Sequence, residues 1–219
     1  MNRLNRLMTG VAAAALVVAA TGALAKDDIT VALQLEPPHL DPTSAAAGAI
    51  DSVLYTNVFE GLTRFMGDGS VVPGLAASWE ISEDGLTYTF KLREGVTFHD
   101  GTTMDAEDVK FTLDRINAED SANAQKTLYS AISEVTVVDP QTVEVKLSEP
   151  NGNLLFNLAW GDAVIVAPES VETIKQTPIG TGAFKFDEWR QGDKITLSRY
   201  DAYWGDAPAL ASATFFFFF

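Results

Sequence analysis

Cysteine is absent from all 219 residues, and histidine occurs twice, at His39 and His99. Without thiols there is no disulfide, no thiolate metal site and no cysteine nucleophile, and an oxidising compartment costs the chain nothing. The histidines lie far apart in Pro-Pro-His-Leu and Phe-His-Asp-Gly, turn-like contexts in which an isolated imidazole is more often locally hydrogen-bonded than a metal ligand or base. H-E-x-x-H, a calcium loop and a G-x-S-x-G nucleophile elbow are all missing. Gly180-Thr181-Gly182 has neither the third glycine of a dinucleotide motif nor the Gly-Lys-Ser/Thr of a P-loop, and reads as backbone squeezed through a crowded joint. Carboxylates are plentiful, but an acidic chain always offers pairs, so they give no positive support for catalysis. Basic side chains are scarce as well: 15 Lys and Arg face 30 Asp and Glu, a net charge of −15. That balance strongly disfavours nucleic acid, whose phosphates need Lys and Arg, and argues against anionic membrane surfaces; its ordinary meaning is solubility.

The N-terminus carries Arg3 and Arg6, an uncharged run from Leu7 to Leu24, and Ala23-Leu24-Ala25 before Lys26. A basic start, an apolar middle and an Ala-x-Ala exit describe a secretory signal peptide over residues 1–25, cleaved after Ala25. The competing reading is a membrane anchor, because the run approaches the shortest length that spans a bilayer; its many Ala and Gly residues and the cleavage motif favour export. No lipid-modified cysteine is possible at the cleavage point, so a lipoprotein is excluded. The chain beyond residue 25 is long enough for one substantial core or two small ones.

Most of the pattern information lies between Ser78 and Ile116. Trp79 to Ile81 reads as a strand, Glu83-Asp84-Gly85 as a turn, and Thr87 to Leu92 as a strand with Tyr88, Phe90 and Leu92 on one face. Glu94-Gly95 turns again, Val96 to His99 predicts another strand, and Asp100-Gly101 a further turn. Asp105, three residues before Asp108, is the expected N-cap of a helix whose apolar stripe is Val109, Leu113 and Ile116. Elsewhere the periodicity predicts a strand over Ile29 to Leu35 and a helix from about Ala45 to Leu62, with Ile50, Val53, Leu54, Val58 and Leu62 inward. Val135 to Val138 and Thr142 to Leu147 predict a hairpin, Asn153 to Trp160 a short helix, and Ala163 to Ala167 a buried strand. Ala183 to Trp189 and Lys194 to Tyr200 form a second hairpin through Arg190-Gln191-Gly192-Asp193. The mixture indicates an α/β (mixed α+β) lobe with a partly antiparallel sheet.

Two blocks in this order, ASWEISEDGLTYTFKLREGVTFHDGTTMDAEDV at Ala77 to Val109 and PIGTGAFKFDEWRQGDKITLSRYDAYWG at Pro178 to Gly205, resemble one family, joined by a weaker match, LQLEPPHLDP at Leu33 to Pro42. The family is solute-binding protein family 5, the extracellular receptors of peptide, nickel and opine ABC transporters. The resemblance implies a periplasmic binding protein-like type II fold: two lobes joined by a hinge, the solute enclosed between them, and closure as a population shift. It divides this chain into residues 26–62 as the first part of the lobe I main sheet, 63–176 as an inserted subdomain, and 177–214 as the return to that sheet, with the second lobe missing. The five terminal phenylalanines, residues 215–219, are set apart as a truncation or frameshift tail, because a flat uncharged aromatic run is an aggregation hazard; a buried strand is the plainer reading of the same run.

By resemblance, the protein is a periplasmic, non-lipidated monomer of a Gram-negative cell that captures oligopeptides or dipeptides and hands them to an inner-membrane ABC permease, with no cofactor, no catalysis, no nucleic acid and no membrane insertion after signal cleavage. Related branches take nickel chelates, opines, glutathione or oligosaccharides. The alternative is a periplasmic enzyme or peptide-holding chaperone on the same scaffold. Ligand contacts are expected where loops leave strand ends: Gln34, Leu35, Glu36 and Pro37 after the first strand, and Trp160, Gly161 and Asp162 as an aromatic wall with a carboxylate. Each has a structural alternative: core for Trp160, a turn for Asp162, an extended connector for Pro37. Trp79, His99, Asp100 and Gly101 are expected to stabilise the inserted subdomain.

Overall fold

Two four-stranded sheets, drawn from different parts of the chain, organise the molecule in a computed structural model that describes residues 27–45 and 47–218. In chain order the strands are β1 (Asp28–Leu33), β2 (Thr63–Phe65), β3 (Val71–Pro73), β4 (Ala76–Ile81), β5 (Thr87–Leu92), β6 (Ile132–Asp139), β7 (Thr142–Leu147), β8 (Phe184–Arg190), β9 (Lys194–Arg199) and β10 (Ser212–Phe217). The helices are α1 (Gly48–Leu54), α2 (Ala106–Asn117) and α3 (Leu154–Asn157). The first sheet has the order β1-β10-β9-β8, the second β4-β5-β7-β6, and β2-β3 form a small ribbon. The expected leader over residues 1–25 lies outside the described residues. No helix among those described is long and apolar enough to cross a membrane.

The second sheet forms where local signals are strongest. β4, β5, β7 and β6 pair antiparallel throughout, and Tyr88, Phe90 and Leu92 with Val143, Val145 and Leu147 turn into one core. Helix α2 covers that face with Val109, Leu113 and Ile116, all buried. Its start is a capping box: the Asp105 carboxylate accepts from the Glu107 N–H at 2.8 Å, and Asp108 accepts from the Asp105 N–H at 2.9 Å. Trp79 packs half-buried on Phe90, and Asp100 closes its turn by accepting from the Thr102 N–H and hydroxyl. Gly101, with φ of 90°, occupies the left-handed region that the turn needs.

The first sheet is assembled from the chain's ends. β1 pairs parallel with β10, Val31 opposite Phe215, and β10 pairs antiparallel with β9. Three of the five phenylalanines that the sequence sets apart as a tail, Phe215 to Phe217, are the last residues of β10: Phe215 and Phe217 are buried against Ile195, Leu197 and α1, while Phe216 points outward. Burying each is worth about 2 kcal/mol.

Three expectations fail for one physical reason. The helix expected from Ala45 to Leu62 spans Gly48 to Leu54, after which Thr56 takes φ of 60°. The Asn57 and Val58 carbonyls, free of any helix, accept from the Phe184 and Gly182 N–H groups at 2.9 Å each. Val58 and Leu62 are still buried, so the periodicity marks the core but not the backbone. Val96 to His99 is a loop rather than a strand, with one isolated bridge, Thr97 to Thr103, and with the His99 N–H donating to the Gly180 carbonyl. Ala163 to Ala167 is fully buried without joining a sheet: the Ile165 N–H donates to the Glu60 carbonyl and the Val166 N–H to the Thr112 hydroxyl. Its alternation divides two cores, Ala163, Ile165 and Ala167 facing the second sheet's, Val164 and Val166 the first sheet's. In each case distant chain supplies the hydrogen-bond partner, satisfying buried backbone without regular structure.

Two polar joints tie the sheets together. Gly180 donates its N–H to His99 Nδ1 at 3.3 Å, so Nε2 carries the proton and donates to the Gly182 carbonyl at 2.9 Å. Burial drives that imidazole's pKa down to about 4. Glu60 is buried and accepts from the Thr181 hydroxyl at 3.0 Å, the Tyr203 hydroxyl at 2.9 Å and Trp204 Nε1 at 2.8 Å. Burial raises its pKa, opposed by those three donors.

Candidate ligand-binding surface

Trp160 ends the segment that leaves α3, and its side chain is 38% exposed, as are those of Phe65 and Phe156. Phe65 comes from β2, whose alternation turns Thr63 and Phe65 to one side and Arg64 to the other. Its ring centroid lies 6.3 Å from Trp160, 5.8 Å from Phe156 and 6.0 Å from Tyr55, the last stacked at 21°. Phe156 meets Trp160 edge-on at 6.0 Å. Tyr55 is fixed beneath them by donating its hydroxyl to the Ala159 carbonyl, and burial pushes its pKa up to about 12. The four rings form an open aromatic wall on three separate chain segments.

Two carboxylates adjoin it. Asp162 is 5% exposed, held in a 3-10 turn, with its carbonyl accepting from Asn123 Nδ2 at 2.8 Å. Burial, and then the charge of Asp51, lift the Asp162 carboxyl to about 6; burial also raises Asp51, on α1. Gly161 is glycine because Asp51 fills its side-chain space: a Cβ there would sit 2.2 Å from Asp51 Oδ1. Among the described residues, no lysine or arginine forms an ion pair with either carboxylate. Two desolvated, mutually repelling carboxylates beside an aromatic wall favour a small cation such as an ammonium group. No metal-sized cluster of three or more His, Cys, Asp or Glu occurs among the described residues.

The expected residues thus fall into two groups. Trp160, Gly161 and Asp162 meet at the wall just described. Gln34, Leu35, Glu36 and Pro37 line a separate cleft of about 430 Å³ with Pro38, Trp189 and Gln191. Within it Glu36 is committed internally, accepting from Trp189 Nε1 at 2.8 Å and from the Gly192 N–H at 2.8 and 3.0 Å, which clamps the β8–β9 turn to the end of β1. Its carboxylate is therefore a brace, while Leu35, 71% exposed, and Gln34 face solvent. Asp51, Tyr55, Phe65 and Phe156 were not legible as site residues, because no local motif links positions that tertiary packing alone brings together.

Comparison with known proteins agrees with this architecture. Residues 70–218 match the family model described as bacterial extracellular solute-binding proteins, family 5 Middle. The glutathione-binding protein GsiB of Salmonella paratyphi A is 34% identical over 202 residues, covering 90% of this chain and 39% of its own. Among solved structures, the PBP AgaA from A.tumefacien R10, in complex with agropinic acid, superposes with a TM-score of 0.82 at 32% identity, covering 87% of this chain and 40% of that one. The oligopeptide-binding protein AppA of Bacillus subtilis, in complex with a nonapeptide, gives 0.80 at 28% identity, covering 87% and 40%. This chain spans about two fifths of the length of the relatives it matches, and over that length it has the periplasmic binding protein fold. With the family model covering most of the described residues, the chain belongs to the family 5 bacterial extracellular solute-binding proteins of ABC transporters.

Proposed function

We propose that this protein captures small peptides, or related amino compounds, and delivers them to an ABC permease in the inner membrane as a non-lipidated periplasmic receptor without turnover. The observation that carries the reading is the Asp51–Asp162 pair, desolvated and unpaired beside Tyr55, Phe65, Phe156 and Trp160. An α-ammonium group would neutralise the two carboxylates and lie against the electron-rich ring faces. Two relatives' ligands are peptides, glutathione for GsiB and a nonapeptide for AppA. Gln34 and Leu35 supply a second contact region in this reading, with Glu36 and Pro37 shaping it. The domain scheme of residues 26–62, 63–176 and 177–214 puts β2 to β7 in the second segment and β8 and β9 in the third, while its last boundary cuts β10.

The test compares trialanine with N-acetyl-trialanine by following the Trp160 indole resonance. The free-amine peptide is expected to shift it saturably and weakly, the acetylated one not at all. Because the Asp162 carboxyl sits near 6, protonation weakens binding as pH falls below that value, and Asp162→Asn lessens the dependence, leaving the part due to Asp51. Equal shifts with both peptides, or none with either, overturn the ammonium assignment.

A further inference from the structure

The geometry points to an oxyanion-binding site, for a carboxylate or phosphate group, in the cleft that Arg64, Arg93 and Trp204 line together. The cleft has a volume of about 500 Å³ and is lined by Arg64, Pro73, Arg93, Tyr203, Trp204 and Asp206 among others. It lies next to the aromatic wall, since Arg64 and Phe65 leave opposite sides of β2 and Tyr55 lines a small pocket with Arg64 and Trp204, but it uses different charged residues from the ammonium reading.

Arg93 is held before any ligand arrives. Its Nε donates to the Gly74 carbonyl at 2.7 Å, its backbone N–H donates to the Leu75 carbonyl at 2.9 Å, and its guanidinium carbon sits 4.4 Å from the Trp204 ring centroid. Trp204 is itself fixed by its bond to Glu60. These contacts leave the two terminal amino groups of Arg93 without a hydrogen-bond partner among the described residues. Arg64 is exposed and makes no side-chain hydrogen bond there. Neither arginine forms an ion pair with a carboxylate among the described residues. Glu60 accepts from Thr181, Tyr203 and Trp204 and forms no hydrogen bond or ion pair with either arginine, although the charge of Arg64 is felt at its carboxylate. The charges of both cations reach the Tyr203 phenol, which lines the same cleft.

In a chain with twice as many acidic as basic side chains, two guanidinium groups without an ion-pair partner on one cleft are a local concentration of positive charge. A guanidinium offers planar paired donors that match the oxygens of a carboxylate or phosphate, and a fork already immobilised by stacking loses little freedom on binding. The Asp206 carboxylate at the rim disfavours ligands of high negative charge and leaves a monoanionic group as the better fit.

The experiment uses the full chain and the Trp204 indole N–H resonance, assigned with Trp204→Phe, at constant ionic strength. Sodium phosphate and sodium acetate are titrated separately, with sodium chloride as the reference. A saturable shift with either is expected, and the tighter of the two tells phosphate-bearing from carboxylate-bearing ligands. Arg64→Gln is expected to weaken it about tenfold, as loss of a charged donor does, and Arg64→Lys by a smaller factor. Lys146→Gln, on the second sheet, leaves it unchanged. A shift no different from that with chloride, or affinity untouched by both Arg64 variants, overturns the proposal.

Discussion

His99 offers the sharpest test of how the two sheets are joined. Its neutral ring accepts from the Gly180 N–H and donates to the Gly182 carbonyl, so a second proton removes the acceptor and places a charge in a desolvated joint. The folded pKa of about 4 lies below the ordinary 6.5. As pH drops below 6.5, the unfolded chain takes up a proton that the folded chain refuses, so stability is lost between about 6.5 and 4. From pH 7.5 to 4.5 the loss from this group is about 2.5 kcal/mol. Asp108 and Asp162, each lifted to about 6 by burial, act in the opposite sense, because the folded chain then binds protons more readily than the unfolded one. The comparison with His99→Gln cancels them. The variant keeps a donor for Gly182 but leaves the Gly180 N–H unpaired, at a cost of about 1–2 kcal/mol at pH 7.5. Urea unfolding at both pH values is expected to show the gap close and reverse at pH 4.5. A gap that stays constant to within about 0.5 kcal/mol would refute the neutral bridging imidazole.

Three further outcomes follow from other joints. Gly180→Ala places a Cβ 2.0 Å from the Val58 carbonyl oxygen, and a loss of about 3 kcal/mol is expected in thermal unfolding; Gly48→Ala, with nothing within 4 Å, serves as the tolerated control. Glu60→Ala strands three donors and is expected to cost about 3 kcal/mol or more in urea melts, whereas Glu60→Gln keeps an acceptor for Thr181 and Trp204 and costs less than half as much; equal losses would show that the hydrogen bonds do not hold this joint. Asp105→Ala removes the cap of α2 and is expected to lower stability by about 1 kcal/mol, with amide exchange faster in the first turn of α2 than in its last.

Amino-acid order alone determined the elements whose hydrogen-bond partners are near neighbours. Helix α2 announces its start through Asp105 and Asp108, and the β6–β7 and β8–β9 hairpins through short turns between alternating strands, so local chemistry and final structure coincide. The family was legible for the same reason, its two blocks covering the start of α2 and the β8–β9 hairpin. Burial was legible more widely than backbone: Val58, Leu62 and the run from Ala163 to Ala167 were all placed inside.

Tertiary structure decided the rest, because the deciding partners lie far away in sequence. Gly182 and Phe184 claim the carbonyls that would have continued α1, and Glu60 and Thr112 take the N–H groups of a segment that reads as a strand. β1 pairs with β10, turning an apparent tail into a core strand. The aromatic wall and its carboxylate pair exist only once α1, β2 and the segment after α3 converge, and Glu36 became a brace because Trp189 and Gly192 fold back onto it. A backbone group or carboxylate takes the partner that folding brings within 3 Å, and the linear order carries no record of that partner when it lies a hundred residues off.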